Sequence, residues 1–376
     1  MNDLNKTKIL YVLDTLKQRY GVTSVAMNYF RNIDKDRVHI DFLVLEDSED
    51  DIISEIEEKG SSVYYMPKLG ISNIFKTAKF FDCFFKNHNY KIVHSHFNQI
   101  DFMLFHYAKK NGVKFCISHS HSTKYSDYKL RAFRNWMMCL PIKHIADIWA
   151  ACGIKAGNFL YGNNFMKSPK HIIINNAIDI DKYKYDSKIR NLKRTELGLS
   201  DKYIIGNVGS LKKTKNQKYI LKLFSKLNEI KQDNQFHLLI VGDGELKNEL
   251  TKLAVELGIS EYVTFLGSRN DVNEILQAID VFLLPSLYEG LPVIGIEAQT
   301  AGLPCIFSNN ITEEVNICNS KFLPLTDDFG PWIDEIMKSK RIKRYDTSNL
   351  IVDSGFSIKD EALKLSEFYV NINDVL

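Results

Sequence analysis

One pattern constrains this chain more than any other: short apolar runs alternate with helical segments, and the alternation occurs twice. In the first half, KILYVL, VHIDFLVL, SVYYM, KIVHSHF, KFCISH, DIWAAC and HIIIN read as strands, with helices expected between them over 72–86 and 101–111. The second half starts afresh with YIIGNVGS, FHLLIVG, YVTFLG, VFLLPS and PCIFS. Its clearest helix is expected over 245–257, where Leu246, Leu250, Leu253 and Leu257 recur at helical spacing. Strands apolar on both faces, alternating with helices, imply parallel sheets covered on both sides. Two such series predict an α/β protein of two doubly wound domains, and 376 residues suit two domains. The join is expected near 182–200, in the polar stretch KYKYDSKIRNLKRTELGLSD. The expected boundaries are 1–185, 186–355 and a C-terminal helical segment, 356–376, that crosses back to the first domain. No internal repeat is visible. In such folds ligands sit beyond the C-terminal ends of the strands, so a cleft between two facing domains is the expected site.

Composition removes several classes. A formal charge of +3 is too mild to argue for nucleic acid. The six cysteines, at 83, 116, 139, 152, 305 and 318, form no CxxC, which suits a reducing, cytoplasmic setting. MNDLNKTKIL lacks the apolar core of a signal peptide, and no apolar run approaches the roughly 18 residues that span a bilayer. Attachment to a membrane surface stays open.

Three stretches carry candidate chemistry. VGDGE (241–245) follows a strand and begins like a dinucleotide fingerprint, but the third glycine falls on Lys247. A tight strand-to-helix turn is the plainer reading, with Gly242 lining a ligand site. VGSLKKTKNQ (208–217) places Lys212, Lys213 and Lys215 on a loop leading into a helix, a setting that suits a diphosphate. PSLYEGLPVIGIEAQ (285–299) holds Glu289 in a loop and Glu297 eight residues later. The helix between them is expected to begin at Leu291–Pro292, with proline at its first position, putting Glu297 about 12 Å further along. A carboxylate accepts both hydrogen bonds of a vicinal diol, and the amides of Gly290, Leu291 and Val293 at a helix start can receive phosphate. Phosphate plus diol describes a nucleotide-sugar. A capped helix with one surface glutamate is the plain alternative.

Two His-x-His pairs, His94/His96 and His119/His121, each put two imidazoles on one strand face. No DxD or HExxH spacing completes a metal set, so no metal and no cofactor is expected. Finally, 128–143 (YKLRAFRNWMMCLPIK) mixes Arg131, Arg134 and Lys143 with Phe133, Trp136, Met137, Met138 and Leu140. Over 124–143 five basic residues against one acidic leave +4. Such a helix suits an anionic membrane surface, with packing on its own domain as the alternative. The basic run KSKRIKR (338–344) reads as solvated surface.

Together these motifs give the chain a family resemblance. The stretch from VGDGE to PCIFS resembles the C-terminal domain of family-four retaining glycosyltransferases of the GT-B fold. MNYFRNID, KIVHSHF, ISHSHS and INNAID look like the branch that builds bacterial exopolysaccharides and capsules. The resemblance implies a nucleotide-sugar-binding second domain and an acceptor-binding first domain. By the same resemblance Glu297 holds the ribose and Glu289 contacts the donor sugar. Lys215 neutralises the diphosphate. His121, with His119 one strand step away, contacts the donor sugar, at its 6-hydroxyl. Ser210 stands where the family usually has an arginine, leaving Lys212 or Lys213 to compensate. Tyr20-Gly21 stands where two glycines are frequent, with Gly21 still able to bring its backbone to the phosphate. The implied function is metal-independent transfer, with retention, from a UDP-sugar to a lipid-linked oligosaccharide, in the cytoplasm or on the inner face of the plasma membrane. A sugar-nucleotide epimerase, a metal-dependent hydrolase built on the histidines, and a non-catalytic sugar-binding module are the rivals.

Overall fold

A computed structural model describes residues 6–17, 20–46, 48–126, 128–231, 235–318 and 320–374. The first five residues of MNDLNKTKIL, and Asp127 within 124–143, lie outside the described residues. The chain forms two compact units, 1–177 with 358–376, and 178–357.

In the first unit the strands are β1 (Thr7–Leu13), β2 (Val38–Val44), β3 (Val63–Tyr65), β4 (Ile92–Ser95), β5 (Phe115–Ser120), β6 (Ile148–Ala151) and β7 (His171–Ile173). Among the described residues they make one sheet in the order β3-β2-β1-β4-β5-β6-β7, every pairing parallel. The second unit contains β8 (Tyr203–Val208), β9 (Phe236–Val241), β10 (Val263–Gly267), β11 (Val281–Leu284), β12 (Cys305–Ser308) and β13 (Lys321–Leu323). Their order, β10-β9-β8-β11-β12-β13, is the same Rossmann order, again wholly parallel. Parallel neighbours demand a crossover, and the helices supply it. The apolar character of the runs follows: β4, β9, β11 and β12 are buried along their whole lengths. Leu221, Phe224 and Leu227 of helix Gln217–Lys231 pack over the second sheet with Trp332 and Ile336. Each such side chain contributes about 1.5–3 kcal/mol by leaving water.

The polar stretch after 182 is no linker. Residues Ser187–Glu196 form a helix of the second unit, and the chain passes between units at 177–178. Asp186 caps this helix by accepting from the amides of Lys188 and Ile189. Arg190 and Arg194 both grip Asp280, the latter at 3.0 Å. Lys193, nearly buried, meets Glu196, Asp271 and Glu274 at 2.7, 2.9 and 2.8 Å. The last helix, Ile358–Asp374, belongs to the first unit. Its Ser366 Oγ accepts from the amide of Asp34 at 3.0 Å, and the buried Tyr369 hydroxyl meets that of Tyr11 at 3.0 Å.

Candidate functional site

In a sheet of this order the crevice opens where the winding reverses, between β1 and β4 in the first unit and between β8 and β11 in the second. In the second unit the lysine loop follows β8 and the two glutamates follow β11, while Gly242 follows β9. After β8 the chain passes Gly209 and Ser210, makes a tight turn over Lys213–Lys215, and reverses at Asn216. Asn216 adopts φ 55°, a left-handed conformation that asparagine tolerates better than most residues. Its amide nitrogen donates to Pro285 O at 3.2 Å, and the amide of Leu287 donates to Thr214 O at 2.8 Å. These bonds tie the loop after β8 to the loop after β11. Lys215 Nζ and the Glu289 carboxylate consequently form an ion pair, and Ser286 Oγ donates to the same carboxylate oxygen at 2.9 Å. The two side chains are 19% and 16% exposed, so the pair is largely shielded yet reachable. Lys212 and Lys213 are exposed on the same turn, and Lys215 is the lysine of the three turned toward Glu289. Ser210 contributes its carbonyl, which accepts from Lys212 N at 2.9 Å and Gln217 Nε2 at 3.1 Å.

The glycines of VGDGE have a packing reason. A Cβ on Gly242, whose φ is 134°, would lie 2.0 Å from Gly209 O, and one on Gly244 2.5 Å from Leu211 O. The turn after β9 therefore lies backbone to backbone on the lysine loop, and Gly242 supports that loop directly.

Between the two glutamates the helix begins one residue later than expected. Pro292 is the N-cap, with extended backbone (ψ 111°), and the helix is Val293–Thr300. Proline disfavours helical backbone in the residue before it, which keeps Leu291 outside the helix. Glu289 and Gly290 lie in the loop, Leu291 is buried and Val293 half-buried. Glu297 is not the surface glutamate of the plain alternative. It is half-buried, hydrogen-bonded by Tyr183 and near Lys182, both from the short helix Ile180–Tyr183. Burial, offset in part by Tyr183 and Lys182, pushes its carboxyl up to about 7. Sequence reading did not single out Tyr183 or Ser286: a lone tyrosine or serine carries no spacing signal.

In the first unit the two His-x-His pairs form one cluster. β4 and β5 are neighbours in register, Ser95 opposite Ser118. His94 Nε2 lies 3.1 Å from His119 Nδ1, and His96 Nδ1 lies 2.9 Å from His121 Nε2. The rings stack, His119 on His121 at 4.0 Å and His94 on His96 at 4.4 Å. Burial holds His94 and His121 down to about 3, and His96 and His119 also well below the usual imidazole range. All four are neutral at pH 7. Asn98 supports the cluster from behind, donating to His119 O at 3.2 Å and to Ser118 Oγ at 2.9 Å. Gly21 opens the helix Gly21–Asn32 after β1, and a Cβ there would meet nothing within 4 Å.

Two parallel, doubly wound units of this strand order have the architecture of a GT-B protein. The family model for glycosyl transferases group 1 matches residues 189–321. The protein of Bacillus subtilis (strain 168) described as glycosyltransferase EpsF is 30% identical over 383 residues, covering 98% of this chain and 97% of its own. The UDP-Gal:alpha-D-GlcNAc-diphosphoundecaprenol alpha-1,3-galactosyltransferase of Escherichia coli is 29% identical over 303 residues, 76% of this chain and 77% of the relative. Among solved structures, sucrose-phosphate synthase from Thermosynechococcus elongatus superposes with TM-score 0.77 at 16% identity, over 99% of this chain and 100% of that one. Anabaena HepE, in complex with UDP and glucose, gives 0.73 at 16% over 98% of both chains. These structural likenesses establish the GT-B fold. The chain belongs to the group 1 glycosyltransferases, and it is a glycosyltransferase.

Proposed function

We propose that this chain transfers a sugar from a UDP-sugar to a lipid-linked saccharide during exopolysaccharide or capsule synthesis, with retention and without a metal. The observation that carries the proposal is the Lys215–Glu289 pair at the switch point of the second sheet, with Glu297 half-buried on the helix that follows. A diphosphate brings more negative charge than a carboxylate and displaces Glu289 from Lys215. The lysine then stabilises the charge that grows as the diphosphate leaves. The released Glu289 turns to the donor sugar, and Glu297 accepts from the ribose hydroxyls. His121 and His119, neutral, hydrogen-bond the sugar without adding charge. A UDP donor and a diphosphoundecaprenol acceptor are supported by the name of the Escherichia coli relative; the family-four resemblance supports retention.

The acceptor's lipid implies a membrane surface, and helix Lys129–Cys139 suits one. Its buried residues are Asn135 and Cys139, whereas Leu130 is 88%, Phe133 58% and Trp136 42% exposed. Arg131, Arg134 and Lys143 provide charge for anionic headgroups. Among the described residues no helix is long and apolar enough to cross a membrane.

The test is a panel of UDP- and GDP-sugars with an undecaprenyl-diphosphate saccharide, in excess EDTA. Transfer from one UDP-sugar, the product's anomer matching the donor's, is the expected result. Epimerised donor without acceptor makes the chain an epimerase, and binding without turnover makes it a sugar-binding module. Loss of activity in EDTA, restored by manganese, overturns metal independence. In parallel, changing Arg131, Arg134 and Lys143 to glutamate releases the protein from acidic liposomes while activity on a short soluble acceptor survives; equal binding by wild type and variant removes the membrane surface.

A further inference from the structure

Two ring nitrogens of the histidine cluster, His96 Nε2 and His119 Nε2, are buried without a hydrogen-bond partner. An unpaired buried polar atom costs on the order of 1–3 kcal/mol, so two in one cluster need a reason. Their other nitrogens are engaged: His96 Nδ1 with His121 Nε2 and His119 Nδ1 with His94 Nε2. His94 Nδ1 is in turn engaged by the Tyr369 hydroxyl. With His96 Nδ1–H donating to His121 Nε2 and His119 Nδ1–H donating to His94 Nε2, the Nε2 of His96 and that of His119 each carry a bare lone pair, while the Nε2 lone pair of His94 is taken up by His119. That is the tautomer of a metal-bound histidine, whose second nitrogen is fixed by a hydrogen bond behind it.

The spacing agrees. His94, His96 and His119 each present a ring nitrogen, all within 4.8 Å of one another. Nitrogens on one tetrahedral zinc at about 2.0–2.1 Å stand about 3.4 Å apart, so side-chain adjustment of roughly an ångström brings His96 and His119 onto one ion, and His94 joins them only by giving up its bond from His119 Nδ1. An all-nitrogen set selects zinc, copper or nickel and discriminates against magnesium and calcium.

We propose that His96 and His119, with His94 beside them, form a binding site for a borderline divalent transition metal such as Zn²⁺, and that the bound ion inhibits transfer by withdrawing His119 from the donor sugar. The inhibitory half rests on the function proposed above; the binding half does not. The site differs from a catalytic metal in its consequence: removing the ion raises turnover.

The experiment uses the full chain without a polyhistidine tag, stripped with EDTA. Titration with Co²⁺ is followed by visible absorption and with Zn²⁺ by calorimetry. One equivalent is expected, with a Kd below about 10 μM, and no binding of Mg²⁺ or Ca²⁺. His96→Gln lowers the affinity at least about tenfold, whereas His106→Gln, at an exposed position on the helix Asp101–Lys110, does not. Zinc suppresses turnover of the wild type with the same midpoint, and EDTA restores it. Absence of saturable binding to the wild type overturns the site whether or not any variant folds, and so does equal binding by His96→Gln. Stoichiometric binding with unchanged turnover overturns the inhibition alone. A protein that transfers no sugar defeats the functional proposal, and the cobalt and zinc titrations then decide the site by themselves.

Discussion

The two sheets share one strand order, yet the residues at their switch points obey opposite electrostatics. In the first unit four imidazoles crowd the ends of β4 and β5, and burial keeps them neutral. In the second, a lysine and a glutamate leave β8 and β11 and meet as an ion pair. Topology decides where polar groups gather; the side chains and their desolvation decide what they can do there. A neutral cluster suits hydrogen bonding to hydroxyls or ligation of a metal. A shielded ion pair suits exchange of one anion for another.

The largest expected effect breaks the charged side of this contrast. Lys215→Ala lowers kcat about a hundredfold, the size seen when one donor to a developing anion is removed, with circular dichroism unchanged. A loss below about tenfold, roughly 1.4 kcal/mol, assigns the task to Lys212 or Lys213.

The glutamates come next and sharpen it. Glu297→Gln weakens binding of free UDP by about 1–3 kcal/mol, because a ribose contact is the same before and during reaction and appears mainly in affinity. Glu289→Gln cripples transfer while UDP affinity holds or rises, since Lys215 loses its competing carboxylate. Calorimetry with UDP beside kinetics on both variants decides it; the reverse pattern means the two roles are exchanged.

The pH response sets the two units against each other. His94 and His121 have folded values near 3 against an ordinary value near 6.5. The stability they contribute is full above about 6.5 and is lost as pH falls toward 3, by up to about 1.4 kcal/mol per pH unit for each group. Glu297 is raised to about 7 from 4.5, so its contribution is present at low pH and lost as pH rises between those values. Acidification from pH 7 to 5 therefore weakens the first unit, where four imidazoles outweigh Asp101, whose carboxyl burial raises to about 7. In the second unit Glu297 is opposed by His237, held down to about 4 by burial, and the two nearly cancel. Hydrogen exchange resolved by unit measures this, and a larger loss of protection in the second unit than in the first refutes these shifts.

The smallest effect belongs to Tyr183→Phe. Without the hydroxyl, Glu297 ionises less readily, and UDP affinity at pH 7 falls by about 0.5–1.5 kcal/mol. Recovery of that affinity at pH 8.5 is expected, because the carboxylate is then formed without help. A deficit that persists at pH 8.5 means Tyr183 acts on the ligand itself.

How much of this was legible depended on which force makes each element. Strands buried on both faces announce themselves as apolar runs, and all twelve named from sequence are present. The thirteenth, Lys321–Leu323, is too short to form a run. Helix Ser187–Glu196 escaped because charge anchors it: Arg190, Lys193 and Arg194 do the work that an apolar stripe does elsewhere. At the candidate site, the eight-residue spacing of Glu289 and Glu297 lies along one stretch of chain and is readable. The partnership of Lys215 with Glu289 spans 74 positions and depends on β8 lying beside β11. The four histidines read as two pairs until β4 and β5 are known to be neighbours.

The placement of the last helix carries a consequence for synthesis on the ribosome. The first unit is interrupted in the chain by the whole of 178–357 and regains its final element only at Ile358. The second unit is contiguous and has every residue it needs as soon as Ser357 has emerged. Until Tyr369 follows, the hydroxyl of Tyr11 and Nδ1 of His94 lack the partner they have in the finished protein. Although domains usually fold from the N-terminus first during translation, here the part made last as a block is completed first, and the part begun first waits for the closing helix. A stop codon after Ser357 would thus leave an intact second unit attached to an unfinished first one.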